Sequence, residues 1–245
     1  MTAGAEGTLD PPSNDADVHA PGPPREPPAL RTLLALTFVT GVIDATTFLA
    51  LGGVFSAMMT GNVVFLGLGL SGGHDASVVG PLLAIAAFVV ASACASGLAR
   101  RVNGPAFGTR TGNAVEIGLL AAACAVAVAT TLDPDGASGY VTLCLLAAAM
   151  GWRTTNVRAL GSENVPTAVL NLTLLAGPAT QRPGLAGAGD VRPRALALAC
   201  FLGGAVAGGL LVRIDVWVPL ALAVVVSLAV GFALSRQRAL LVAAG

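Results

Sequence analysis

Six stretches of this chain, roughly residues 31–52, 79–99, 112–132, 139–160, 194–213 and 216–235, are apolar over the length needed to cross a bilayer. About 20 residues cross a hydrocarbon core of about 30 Å as a helix. Backbone N–H and C=O groups find no water there, so a segment must close its hydrogen bonds internally or join a closed barrel. Continuous apolar runs of this length read as helices, so the fold class is an all-α membrane protein. Composition agrees: 55% of the 245 residues are hydrophobic and 11% are charged, with a mean hydropathy of +0.80. A soluble domain of this size could not enclose that much apolar surface.

Two further apolar segments are short or interrupted. Residues 54–71 follow Gly52-Gly53 and contain Thr60-Gly61-Asn62, and residues 165–179 contain Pro166 and Asn171. The basic residues decide how these two are counted. All thirteen are arginine. If all eight segments crossed and the N-terminus were cytoplasmic, Arg100, Arg101 and Arg110 would fall outside, against the positive-inside rule. If 54–71 and 165–179 enter and return on one side, every arginine but Arg213 lies on or points towards the cytoplasmic side. The loops 72–78 and 133–138, which carry aspartate and no arginine, then face outward. The expectation is six transmembrane helices plus two re-entrant half-helix segments, with both termini cytoplasmic in a bacterial inner membrane. Residues 30–238 form the polytopic domain, with repeats at 31–132 and 139–235. Residues 1–29, rich in proline and acidic side chains, read as a solvated disordered tail.

The halves are internally similar. Asp44-Ala45-Thr46-Thr47 through Gly52 aligns at one constant offset with Arg153-Thr154-Thr155-Asn156 through Gly161. Each half holds three spans, an odd number, so the two repeats point in opposite directions, as in many transporters. Asp44 and Arg153 stand at matching positions inside apolar segments, where ionisable groups are costly and usually functional. Two readings follow: a static pair locking the halves together, or a protonatable carboxylate and cationic partner coupling proton movement to a substrate. Glu116, one turn into its span, and Asp215, at the start of the last, read as interfacial and solvated.

Further polar candidates cluster at the short segments. Thr60, Gly61 and Asn62 mark where an extended leg turns into a half-helix ending near Leu70. Free N–H groups at such a start favour an anion or a polar oxygen, although capping alone would also explain them. The second-half counterpart of Asn62 is Asn171 at constant offset, or Thr173 with a two-residue shift. Thr47 and Asn156 are mutual repeat equivalents one turn from Asp44 and Arg153. Gly204 and Gly208 form a small-xxx-small pattern, read as packing within one chain or as a homodimer contact. Four isolated cysteines without C-x-x-C spacing, and His19 and His74 without a second ligand, give no metal site. No cofactor, enzyme or nucleic-acid motif is found. The partners expected are the lipid bilayer and a small solute or ion.

The run Gly41-Val42-Ile43-Asp44-Ala45 through Phe55, followed by Met59-Thr60-Gly61-Asn62-Val63, resembles the signature of the YoaK family of bacterial integral membrane proteins of unknown function. Ala149-Met150-Gly151 through Pro166-Thr167 is similar to its second signature. The resemblance covers about residues 31–238 and implies fold and membrane location without naming a substrate. This chain departs at Arg153-Thr154, where the family usually has Gln-Asn, and at Asn171-Leu172-Thr173, where it usually has Thr-Gly-Thr. An Asp44–Arg153 pair would therefore belong to this branch alone. The leading functional expectation is a small-solute transporter or channel-like permease lined by Asp44, Thr60, Gly61, Asn62 and Arg153. The rival is a membrane scaffold or sensor acting through its tail.

Overall fold

A computed structural model describes residues 30–72, 77–101, 110–159 and 192–243. Every regular element among them is a helix: α1 (Leu30–Ala50), α2 (Met59–Leu70), α3 (Val79–Arg101), α4 (Arg110–Ala129), α5 (Ala137–Ala159), α6 (Arg192–Leu211) and α7 (Trp217–Ala243). The segment 165–179, with Asn171 and Thr173, lies outside the described residues, as do the tail and the side chain of Arg158.

Four helices, at Leu30–Ala50, Val79–Arg101, Gly112–Ala129 and Trp217–Arg236, are long and apolar enough to cross a membrane. α5 and α6 fall short for different reasons. α5 has 23 residues but carries Arg153, Thr154, Thr155, Asn156 and Arg158 in its second half. The apolar part of α6, Ala195–Leu211, is shorter than any of the four. α2 has 12 residues, a rise of about 18 Å against a core of about 30 Å, so it cannot cross alone.

α1 is the hub. It is 61% buried, against 17% to 28% for the other three long apolar helices. Its hydroxyls are satisfied within the helix: Thr37, Thr40 and Thr46 donate to the carbonyls of Leu33, Leu36 and Val42 at 2.7–2.9 Å. α1 packs chiefly on α6 and also on α7, while α5 packs chiefly on α3 and also on α4, and α4 meets α7. The leading contacts use glycine. A side chain at Gly41 would collide with the backbone of Phe201, at Gly204 with Phe38, at Gly208 with Val42, and at Gly151 with Phe88. Gly204 and Gly208 are thus covered by α1 of the same chain, which corrects the homodimer alternative: these glycines bring two backbones together and present no face to a second copy.

Two hydrophobic clusters set the direction of α5 against α1. Leu33 and Leu36, early in α1, share one with Trp152 and Val157, late in α5. Val39, Ile43 and Leu51 share the other with Leu143, Leu146 and Met150. The two helices therefore run antiparallel.

Candidate functional site

α1 ends at Ala50 because the chain turns through Gly52 and Gly53 at φ 78° and 74°, a conformation open to glycine at little cost. The loop to α2 doubles back onto α1. There Asp44 Oδ1 accepts three hydrogen bonds, from the backbone N–H of Ser56 (2.9 Å), the Ser56 hydroxyl (2.7 Å) and the N–H of Ala57 (2.8 Å). The carboxylate thereby clasps the turn that leads into α2. Asp44 is buried, and its Oδ2 has no hydrogen-bond partner.

The same turn uses the signature residues around Thr60. The Asn62 amide accepts from Phe55 N–H at 2.9 Å and donates to Phe55 O at 2.7 Å, closing the loop on itself. Gly61 makes room for the Phe55 ring, whose Cδ2 would lie 2.9 Å from a Cβ there. Phe55 stacks on Phe48 and Phe65 at 5.1 and 5.9 Å. Thr60 is exposed at the start of α2. The Thr47 hydroxyl donates to Asp44 O at 3.1 Å. At the half-helix start itself the N–H groups of Met59, Gly61 and Asn62 bond to Ala57 O and Met58 O, and the amides that meet an anionic oxygen are those of Ser56 and Ala57 in the loop just before it, held by Asp44.

Arg153 forms a second centre. Nε and Nη2 both bind Glu116 Oε1, at 2.8 and 2.5 Å. Nη1 donates to Leu36 O (3.2 Å) and the Thr40 hydroxyl (3.3 Å), and Nη2 to the Ser227 hydroxyl (3.2 Å). A guanidinium has five N–H donors, and these five contacts occupy them. One side chain of α5 thus joins α1, α4 and α7. The Arg153 and Glu116 side chains are 1% and 4% exposed.

This geometry corrects two expectations. Arg153 does not pair with Asp44. Antiparallel packing sets Arg153 level with Leu36 and Thr40, and Asp44 lies four residues beyond Thr40, about 6 Å along α1. Glu116 is not solvated: its side chain is buried against Arg153. α4 begins at Arg110, which carries Glu116 about 9 Å into the helix, on the side facing α5. One turn from Arg153 along α5, Asn156 is buried, and neither atom of its amide has a partner. Of the expected site residues, Asp44 and Asn156 keep unused hydrogen-bonding capacity in buried positions, whereas Arg153 and Asn62 are saturated by protein. Sequence reasoning missed Ser56, Thr40 and Ser227. Ser56 alone carried a signal, as a hydroxyl in the turn between Gly53 and Thr60.

The family model described as "Protein of unknown function (DUF1275)" matches residues 32–233. "UPF0700 transmembrane protein YoaK" of Bacillus subtilis (strain 168) is 33% identical over 146 residues, 58% of this chain and 63% of the relative. The chain thus matches less than two thirds of that relative's length. No solved structure matches significantly.

Proposed function

This chain is a multi-pass membrane protein of the DUF1275 family, the family of YoaK, and from that premise we propose that it is a small-solute permease built as two inverted three-span repeats. The observation that carries the reading is the Asp44 clasp. A buried carboxylate holds an interrupted segment, loop 51–58 followed by the short α2, against the central helix. Irregular backbone at membrane depth is tolerated where protein buries it or where it lines a wet path, and interrupted helices at a repeat interface are where transporters bind cargo.

Packing supports the inverted repeat. Under the proposed duplication α1 corresponds to α5, α3 to α6 and α4 to α7. The α1–α6 contact then maps onto α5–α3, and α1–α7 onto α5–α4, while α4–α7 maps onto itself. Both leading contacts use a glycine from the first helix of one half against a phenylalanine backbone in the second long helix of the other: Gly41 on Phe201, and Gly151 on Phe88. Arginines at the α3–α4 ends and the exposed Asp133 and Asp135 support six spans with both termini cytoplasmic in the inner membrane. Residues 30–238 then form one transport domain and residues 1–29 a tail.

In this account the Glu116–Arg153 centre ties the halves together, and cargo meets the groups that keep capacity, Asp44 Oδ2 on one side of that tie and Asn156 on the other. Proton gain at Asp44 would weaken its hold on Ser56 and Ala57 and let the start of α2 move. The test uses proteoliposomes loaded with a pH-sensitive dye and challenged with a panel of small polar solutes. The wild type is expected to move protons with at least one solute, and Asp44→Asn to lose that signal. Silence of the wild type across the panel, together with loss of a bound partner on removing residues 1–29, would favour the scaffold reading.

A further inference from the structure

Between α4 and α7 runs a groove of about 660 Å³, within the usual range for a small-molecule site. Its walls are Asn113, Ile117, Gly118 and Ala121 on α4, and Leu228, Phe232 and Ser235 among others on α7. The α4 residues recur at helical spacing on one face. From Asn113 to Ala121 they run eight residues, about 12 Å, close to the depth of one leaflet, half of about 30 Å. The groove is polarised along that length. Asn113 and Ser235 stand at the end where α4 begins with Arg110 and where Arg236 lies exposed over the Phe232 ring at 5.1 Å. The other end, at Ala121 and Leu228, is apolar. Small residues give it depth: a Cβ on Gly118 would meet nothing within 4 Å. Its inner wall adjoins a cavity about large enough for one water molecule, lined by Glu116, Ser227 and Leu36 and sharing Asn113 and Gly231 with the groove.

We propose that this groove is a binding site for an anionic single-chain amphiphile drawn from the bilayer. Its acyl chain lies along Gly118, Ala121 and Leu228, and its head is held by the Asn113 amide and the charge of Arg236. Length, polarity gradient and charge select this occupant: an acyl chain matches an apolar trough one leaflet deep, and a cation at the interfacial end attracts an anionic head. The site stands whether or not the protein carries solutes.

Trp152 reports on it, because its indole N–H donates to Gly112 O at 2.9 Å, next to the groove residue Asn113. The chain has two tryptophans, so Trp217→Phe leaves Trp152 as the single indole. In detergent, 5-doxylstearate, whose nitroxide lies near the head and so beside Trp152, is expected to quench Trp152 saturably, while its uncharged methyl ester quenches far less at equal concentration. Gly118→Leu, which fills open space, should abolish the saturable component. Arg236→Gln should weaken the apparent affinity for the carboxylate about fivefold with the maximal quench unchanged, and it keeps the test decisive if Gly118→Leu folds poorly. Absence of saturable quenching, or equal quenching in wild type and Gly118→Leu, overturns the site. Equal affinity for the acid and the ester overturns its anionic assignment.

Discussion

Arg153→Met alone is expected to remove most of the folded protein, and Arg153→Met combined with Glu116→Leu to restore it. Truncating Arg153 strands a buried carboxylate and removes the donors that serve Leu36 O, Thr40 and Ser227. Breaking a buried pair in this way costs about 3–5 kcal/mol, a large share of a total stability of about 5–15 kcal/mol. Replacing both partners by apolar side chains leaves no buried charge, and such exchanges are often neutral or stabilising. Arg153→Lys should fall between, since a point charge cannot make the forked contacts that reach three other helices. The measurements are the monodisperse yield and the thermal unfolding midpoint in detergent. A stable Arg153→Met protein, or a double variant worse than the single, would show that this centre does not lock the bundle.

The second large effect is local. Asp44→Ala leaves the Ser56 N–H, the Ser56 hydroxyl and the Ala57 N–H without their acceptor. Each unsatisfied buried group costs about 1–3 kcal/mol. Amide exchange at Ser56 and Ala57 should therefore quicken about a hundredfold, the equivalent of about 2.8 kcal/mol at about 1.4 kcal/mol per tenfold. α1 itself should keep its protection. Asp44→Asn retains a carbonyl oxygen for the same donors, so it should hold the turn while losing the charge. Unchanged exchange at Ser56 in Asp44→Ala would mean that Asn62 and the phenylalanine stack hold the loop without the carboxylate.

The helices were legible because hydrocarbon leaves the backbone so few choices. The turn at Gly52-Gly53 and the helix start beside Thr60-Gly61-Asn62 were legible from glycine and the polar residues that interrupt an apolar run. Asp44 stood out for the same reason, a charge where charge is costly. Its contacts were not legible. In a bilayer the face of a helix towards lipid and the face towards its neighbours are both apolar, so periodicity does not tell which face meets which helix. Repeat symmetry matched Asp44 with Arg153 as equivalents, yet equivalence is not contact. Antiparallel packing staggers the two by about one turn and brings Glu116 of α4 to Arg153 instead. Gly204 and Gly208 were readable as a close-packing stripe, but only the fold assigns that stripe to Phe38 and Val42 of the same chain.

We propose that α2 enters the membrane and returns, so that two odd-numbered halves face opposite ways. Single cysteines at Ala76 and Gly104, in a background without Cys94, Cys124, Cys144 and Cys200, test it most directly. A membrane-impermeant thiol reagent applied to intact cells should label Ala76→Cys and reach Gly104→Cys only after the membrane is opened. The reverse pattern, with Gly104→Cys labelled from outside and Ala76→Cys protected, would mean that α2 crosses fully with its loops, that the halves run parallel, and that the clasp at Asp44 does not sit on an inverted-repeat axis.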